Sequence, residues 1–208
     1  MNAARWISLV LIAGCTGTEE GAAAIAGTVS ASGSSADMSS GVAYAAELAG
    51  EIMVAIFPRA DATCAYAGAE LAAGDPDWNP ANVHQAGACG LIIQAPYDGG
   101  LALSGATIVD ATVTLNCAMD SGEWEYREGT SLYYDGYYYT GPWWQGSPES
   151  FDLEISGSEA DGYTVSASMD AYSGRFLYDL DDMENDPATG SIVGTTTATH
   201  CDDLIAGF

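Results

Sequence analysis

The chain has 208 residues, of which 29 are Asp or Glu and four are Arg, with no Lys, for a formal net charge of −25. A surface this acidic repels nucleic acid and anionic lipid headgroups, so both are poor partners for the folded part. With 48% hydrophobic and 10% aromatic residues, the body carries enough apolar material to fold around a core.

Residues 1–14 read as an export signal. Arg5 supplies a positive charge and "WISLVLIA" is an apolar run too short to span a bilayer, which takes about 20 residues. The run ends in "IAGC", Ile12 to Cys15. This tetrapeptide resembles the lipobox of bacterial lipoproteins: an aliphatic residue, two small residues and a cysteine. The resemblance implies cleavage before Cys15 and acylation of that residue, which would anchor the chain to a lipid bilayer. It also implies the outer membrane, because Thr16 stands where Asp would favour inner-membrane retention. An ordinary secretory signal with a chance cysteine is the alternative. After cleavage three arginines face 29 carboxylates, 3 − 29 = −26. Residues 15–22 form a tether, and 23–208 a single β-rich domain.

"AIAGTVSA" and "GEIMVAIFP" are strand-like, and the Ser/Gly-rich stretch 30–41 between them reads as a loop. The two strands resemble the opening of immunoglobulin-like or transthyretin-like accessory domains. Residues 58–90 are rich in Ala, Asp-Pro and Asn-Pro, and read as a loop-rich excursion with a helical turn around Ala65 to Ala73. From residue 90 the pattern is β. Val109, Ala111, Val113, Leu115 and Cys117 alternate with polar residues, as do Phe151, Leu153 and Ile155, and again Tyr163, Val165, Ala167 and Met169. Period-two alternation is the signal of half-buried strands. "RFLYDL" places Phe176, Tyr178 and Leu180 inward, and the last strand places Val193 and Cys201 on one face. The fold class is therefore all-β, an antiparallel sandwich or barrel.

Cys64, Cys89, Cys117 and Cys201 are an even number in an exported chain and read as disulfides. Cys64–Cys89 and Cys117–Cys201 are the preferred pairs: the first staples the excursion, the second ties a central strand to the last. Zinc bound by His84, Cys89, His200 and Cys201 is disfavoured, since no C-x-x-C or H-x-x-x-H spacing occurs.

"SLYYDGYYYTGPWW", residues 131–144, has Asp135-Gly136 in its middle, a strong hairpin-turn signal. With the turn there, Leu132, Tyr134, Tyr137 and Tyr139 face the core. Tyr133 and Tyr138 pair on the solvent face, followed by Trp143 and Trp144. These four are a candidate ligand platform, with Glu123, Glu125, Glu128 and Asp135 nearby. The alternative is a hairpin that is merely aromatic, since cross-strand ring pairs stabilise by about 0.2–1 kcal/mol. Asp182, Glu184 and Asp186 alternate in the acidic stretch 179–190 and form a candidate calcium site; a solvated acidic loop is the competing reading. No other cofactor is implied.

Neither a G-x-S-x-G elbow nor a Gly-rich phosphate loop is present. The expected function is a non-catalytic structural or interaction module of the envelope, partnering the bilayer through Cys15 and an envelope protein or glycan. A carbohydrate-binding or adhesive module using the aromatic hairpin is the second expectation. An acidic-site hydrolase is the third.

Overall fold

The computed structural model describes residues 24–72, 87–105, 111–120, 125–130, 135–140, 143–179 and 182–207. Two short hairpins come first. Strands β1 (Ala26–Ala31) and β2 (Ser34–Ser39) form one, β3 (Val42–Leu48) and β4 (Glu51–Phe57) the other. Both turn through two residues in the left-handed region, Ser32-Gly33 at φ 46° and 79° and Ala49-Gly50 at φ 55° and 88°. That is the backbone a type I′ turn needs, and glycine tolerates it at the second position without a Cβ clash. The Ser/Gly-rich stretch expected to be a loop is thus mostly strand: its small residues fit a pleated edge as well as a loop.

The wall of the barrel consists of β5 (Ala88–Pro96), β7 (Thr112–Ala118), β10 (Trp143–Ser158), β11 (Gly162–Asp179) and β13 (Ala188–His200), each antiparallel to the next. Strand β6 (Gly100–Gly105) adds to β10, and β12 (Asp182–Asn185) to β11. Between β13 and β5 a gap remains, and the two hairpins close it one beyond the other. The β1–β2 hairpin pairs antiparallel with β13 at 189–193 and parallel with β5 at Asp37↔Ala88 and Met38↔Cys89. The β3–β4 hairpin pairs antiparallel with β5 at 91–96 and parallel with β13 at Thr199↔Tyr44 and His200↔Ala45. Either route completes a ring of seven strands. Strands β8 (Glu125–Thr130) and β9 (Asp135–Thr140) form a separate two-stranded ribbon.

The disulfides are Cys64–Cys201 and Cys89–Cys117, the reverse of the expected pairing. Register explains this. Cys89 and Cys117 are direct cross-strand partners on β5 and β7, with Cα atoms 4.0 Å apart. Cys64 opens helix α1 (Cys64–Ala72), which lies beside the closing 3₁₀ turn Asp202–Gly207. Thr63 caps α1, its Oγ1 accepting from the Tyr66 amide at 3.2 Å. The helical turn expected near Ala65 is therefore real.

The inward alternations of β7, β10 and β11 hold: Val113, Leu115, Cys117, Phe151, Leu153, Ile155, Tyr163, Val165, Ala167 and Met169 are all buried. Strand β4 is buried on both faces. Ile52, Val54 and Ile56 point into the barrel, while Ala55 and Phe57 belong to a second cluster with Ala67 of α1 and Leu204. Its unbroken apolar run follows from that two-sided cover. On β13 the inward residues are Ala188, Ile192 and Ala198, and Val193 is 56% exposed. Val193 and Cys201 do not share one face as expected: β13 ends at His200, so its alternation does not carry through to Cys201, which is buried. Residues 106–110, Tyr178's side chain and Leu180 lie outside what is described.

Burial pushes the phenols of Tyr163 and Tyr172 well above the ordinary value of 10; Tyr163 also donates to Glu47 Oε1 at 2.8 Å. A raised folded-state value holds full stability below pH 10, and that stability drains as pH climbs towards the folded-state value. Because the chain has no lysine, stability lost above pH 10 is expected to track tyrosine ionisation. Urea midpoints measured against pH check this, and Tyr163→Phe with Tyr172→Phe should flatten the decline. The cross-links enclose 137 and 28 residues of separation. On loop entropy, losing Cys64–Cys201 costs roughly 5 kcal/mol and losing Cys89–Cys117 roughly 3.5 kcal/mol. Denaturation of the two paired Cys→Ser variants, with non-reducing peptide mapping, tests both the order and the pairing.

Candidate functional site: an outer groove across four strands

Alternation along the wall sets the site. Trp144 points inward on β10, so Gln145 points outward. Cys117 points inward on β7, so Asn116 points outward. The registers Asn116↔Gln145, Gln145↔Arg175 and Arg175↔Asn185 place these four residues in one line across β7, β10, β11 and β12. Arg175 Nη2 donates to Gln145 Oε1 at 3.1 Å, and Gln145 Nε2 donates to Asn116 Oδ1 at 2.9 Å. A guanidinium can only donate, so Arg175 dictates which way both amides point. The chain of donors ends at Asn116 Nδ2, which is buried and has no hydrogen-bond partner among the described residues. Asn116 is only 5% exposed although it sits on the outer side of the wall.

Next to this row is an open groove of about 570 Å³. Thr114, Gln145, Ser147, Ser173, Arg175 and Asn185 supply its polar lining, and Gly146 and Gly174 its floor. The glycines are required. A Cβ on either would come within 2.4 Å of the Trp144 ring, which fills the space beneath them. Trp144 is 0% exposed, donates its indole N–H to the Asp186 carbonyl at 2.8 Å, and meets Tyr172 edge-on at 6.1 Å. The groove therefore rests on a packed aromatic floor within regular strands. Such a base holds side chains in place before any ligand arrives.

The residues singled out from sequence do not converge here. Trp144 is a core residue rather than part of an exposed platform. Its indole N–H finds a partner indoors, which removes the reason for it to face water. Trp143 pairs by backbone with Ala118 and Leu177. Asp135-Gly136 is not the turn of the aromatic hairpin: both residues open β9, with Gly136 opposite Gly129 and Asp135 opposite Thr130. Tyr138 is thereby paired with Arg127 rather than with Tyr133. Residues 131–134, including Tyr133, lie outside what is described, as do Cys15, His84 and Glu123.

Much of the described part of the acidic stretch is strand. Asp182 and Glu184 lie in β12, paired with β11. The Asp186 carboxylate accepts from the Ser32 hydroxyl, and its amide bonds the Gly174 carbonyl. No group of three or more His, Cys, Asp or Glu able to hold a metal occurs among the described residues. His200 Nε2 lies 2.9 Å from Asp202 Oδ1, and Cys89 and Cys201 are consumed in disulfides, which leaves no thiolates for zinc. The residues missed from sequence were Asn116, Gln145 and Arg175. Each faces outward on a recognisable strand, but only the register across strands brings them together.

No protein-family model, curated protein or solved structure matches this chain.

Adding one methyl group tests the floor of the groove. Gly174→Ala is expected to destabilise by about 1–3 kcal/mol, as overpacking does. An unchanged urea midpoint would mean that the Trp144 ring does not lie beneath Gly174.

Proposed function

We propose that this chain is a lipid-anchored, non-catalytic interaction module of the cell envelope, held at the outer membrane by acyl chains on Cys15. What carries the reading is the contrast between the two sides of the wall. Inside, one continuous cluster including Trp144, Tyr163 and Tyr172 occupies the barrel. Small barrels filled this way have no lumen to offer a ligand, so partners meet the outside. Outside, a strongly acidic surface surrounds a polar groove built on strands. The cross-links suit an oxidising compartment. The lipobox-like "IAGC" ahead of the tether supports the anchor. No helix among the described residues is long and apolar enough to cross a membrane.

A second reading, a carbohydrate-binding module, is favoured by the groove's amide, hydroxyl and guanidinium lining. That lining is chemistry suited to sugar hydroxyls.

Replacing Cys15 with Ser tests the anchor. The variant should pass from the membrane fraction to the soluble fraction and lose the mass of its acyl chains. An unaltered protein carrying no lipid by mass spectrometry would remove the anchor from the proposal.

A further inference from the structure

We infer that the groove across β7, β10, β11 and β12 binds a neutral, hydroxyl-rich oligosaccharide, with Arg175, Gln145 and Asn185 as its gripping residues. This deepens the carbohydrate reading above, and moves the site from the aromatic hairpin to the barrel wall.

The first argument is charge. Acids outnumber bases 29 to 4 in the chain, yet none of the described residues that line the groove is Asp or Glu. An ordinary solvated face of this protein would carry carboxylates. A metal site would need them. The described polar lining consists instead of amides, hydroxyls and a guanidinium. Amides and hydroxyls both donate and accept, as sugar hydroxyls do. The surrounding negative field works against acidic polysaccharides, nucleic acid and anionic lipid, and is indifferent to a neutral sugar.

The second argument is preorganisation. Arg175 and Asn116 hold the Gln145 amide from both ends at 3.1 and 2.9 Å, so its plane and its polarity are set before binding. Each of those groups keeps further hydrogen-bonding capacity: a second lone pair on Gln145 Oε1, a second hydrogen on Nε2, and the remaining guanidinium N–H groups. Adjacent strands are about 4.8 Å apart, a spacing on the scale of one pyranose ring, so the row offers planar polar groups at successive positions along a glycan. Asn116 is a positioning residue. Its Nδ2 has no acceptor among the described residues, and the cost of that buried donor is borne by the fold.

The third argument disfavours a protein partner. Protein interfaces are anchored by buried apolar and aromatic side chains. The large exposed hydrophobics among the described residues are Leu48, at the end of β3, and Val193, on β13; neither lines the groove.

The experiment is a nuclear magnetic resonance titration of the disulfide-intact chain with neutral gluco-, manno- and xylo-hexasaccharides. A galacturonate hexamer and an unrelated soluble peptide serve as separate arms. At least one neutral sugar should shift the side-chain amide resonances of Gln145 and Asn116. Arg175→Ala and Ser173→Val, both at exposed positions, should each weaken that binding about fivefold, the loss of one net hydrogen bond. Their melting temperatures should stay unchanged. The inference is overturned if no neutral sugar binds, if the galacturonate or the peptide binds in preference, or if shifts map to 125–140 alone. Unchanged affinity in both variants would overturn it too. None of these outcomes touches the lipid anchor, which Cys15→Ser tests separately.

Discussion

Closure of the gap between β13 and β5 is the constraint on which the rest of the molecule depends. Each strand presents one unpaired edge to the other, and an open edge leaves a row of backbone donors and acceptors without partners. Two hairpins placed end to end satisfy both edges. Each hairpin is joined on one side by an antiparallel ladder and on the other by a parallel joint of two residue pairs. Parallel pairing is the weaker kind, and these joints are the shortest in the ring. A disulfide stands next to each. Cys89, which pairs with Met38 at the first joint, is bonded to Cys117. Cys201, whose amide donates to the Ala45 carbonyl just past the second joint, is bonded to Cys64. The covalent cross-links therefore sit where the hydrogen-bond ladder is thinnest.

The outer surface inherits its order from this closure. A closed, packed wall holds register across β7, β10, β11 and β12, and only that register lines up Asn116, Gln145, Arg175 and Asn185. Trp144 connects the two sides. Its ring fills the interior under Gly146 and Gly174, and the same glycines form the floor of the groove outside. A substitution aimed at the core at this point is also a change to the surface site.

The long central strands were legible in the sequence because their signal is local. Phe151 to Ile155 and Tyr163 to Met169 alternate without interruption, and each face has one environment. Strand β4 was legible as a strand from "IMVAIF", although its two-sided burial needed the helix to be seen. Three features were not legible, each for a different reason. The type I′ turns at Ser32-Gly33 and Ala49-Gly50 carry weaker turn dipeptides than Asp135-Gly136, which opens a strand instead. The inward face of β13 was obscured because the strand is rich in Thr and Gly, and its inward positions are marked by Ala188, Ile192 and Ala198 alone among the described residues. The cysteine pairing depends on which strands become neighbours, a long-range property that spacing does not encode. The groove escaped for the same reason, since no two members of its hydrogen-bonded row are close in sequence.

The most direct test of closure is to look for cross-strand nuclear Overhauser contacts at both parallel joints in one sample: Asp37 with Ala88 and Thr199 with Tyr44. Both sets should appear together, with slow amide exchange along β13 and β5. If either joint gives no contacts while the antiparallel ladders on either side remain intact, the sheet is open there, and the account of a barrel closed by two tandem hairpins is wrong.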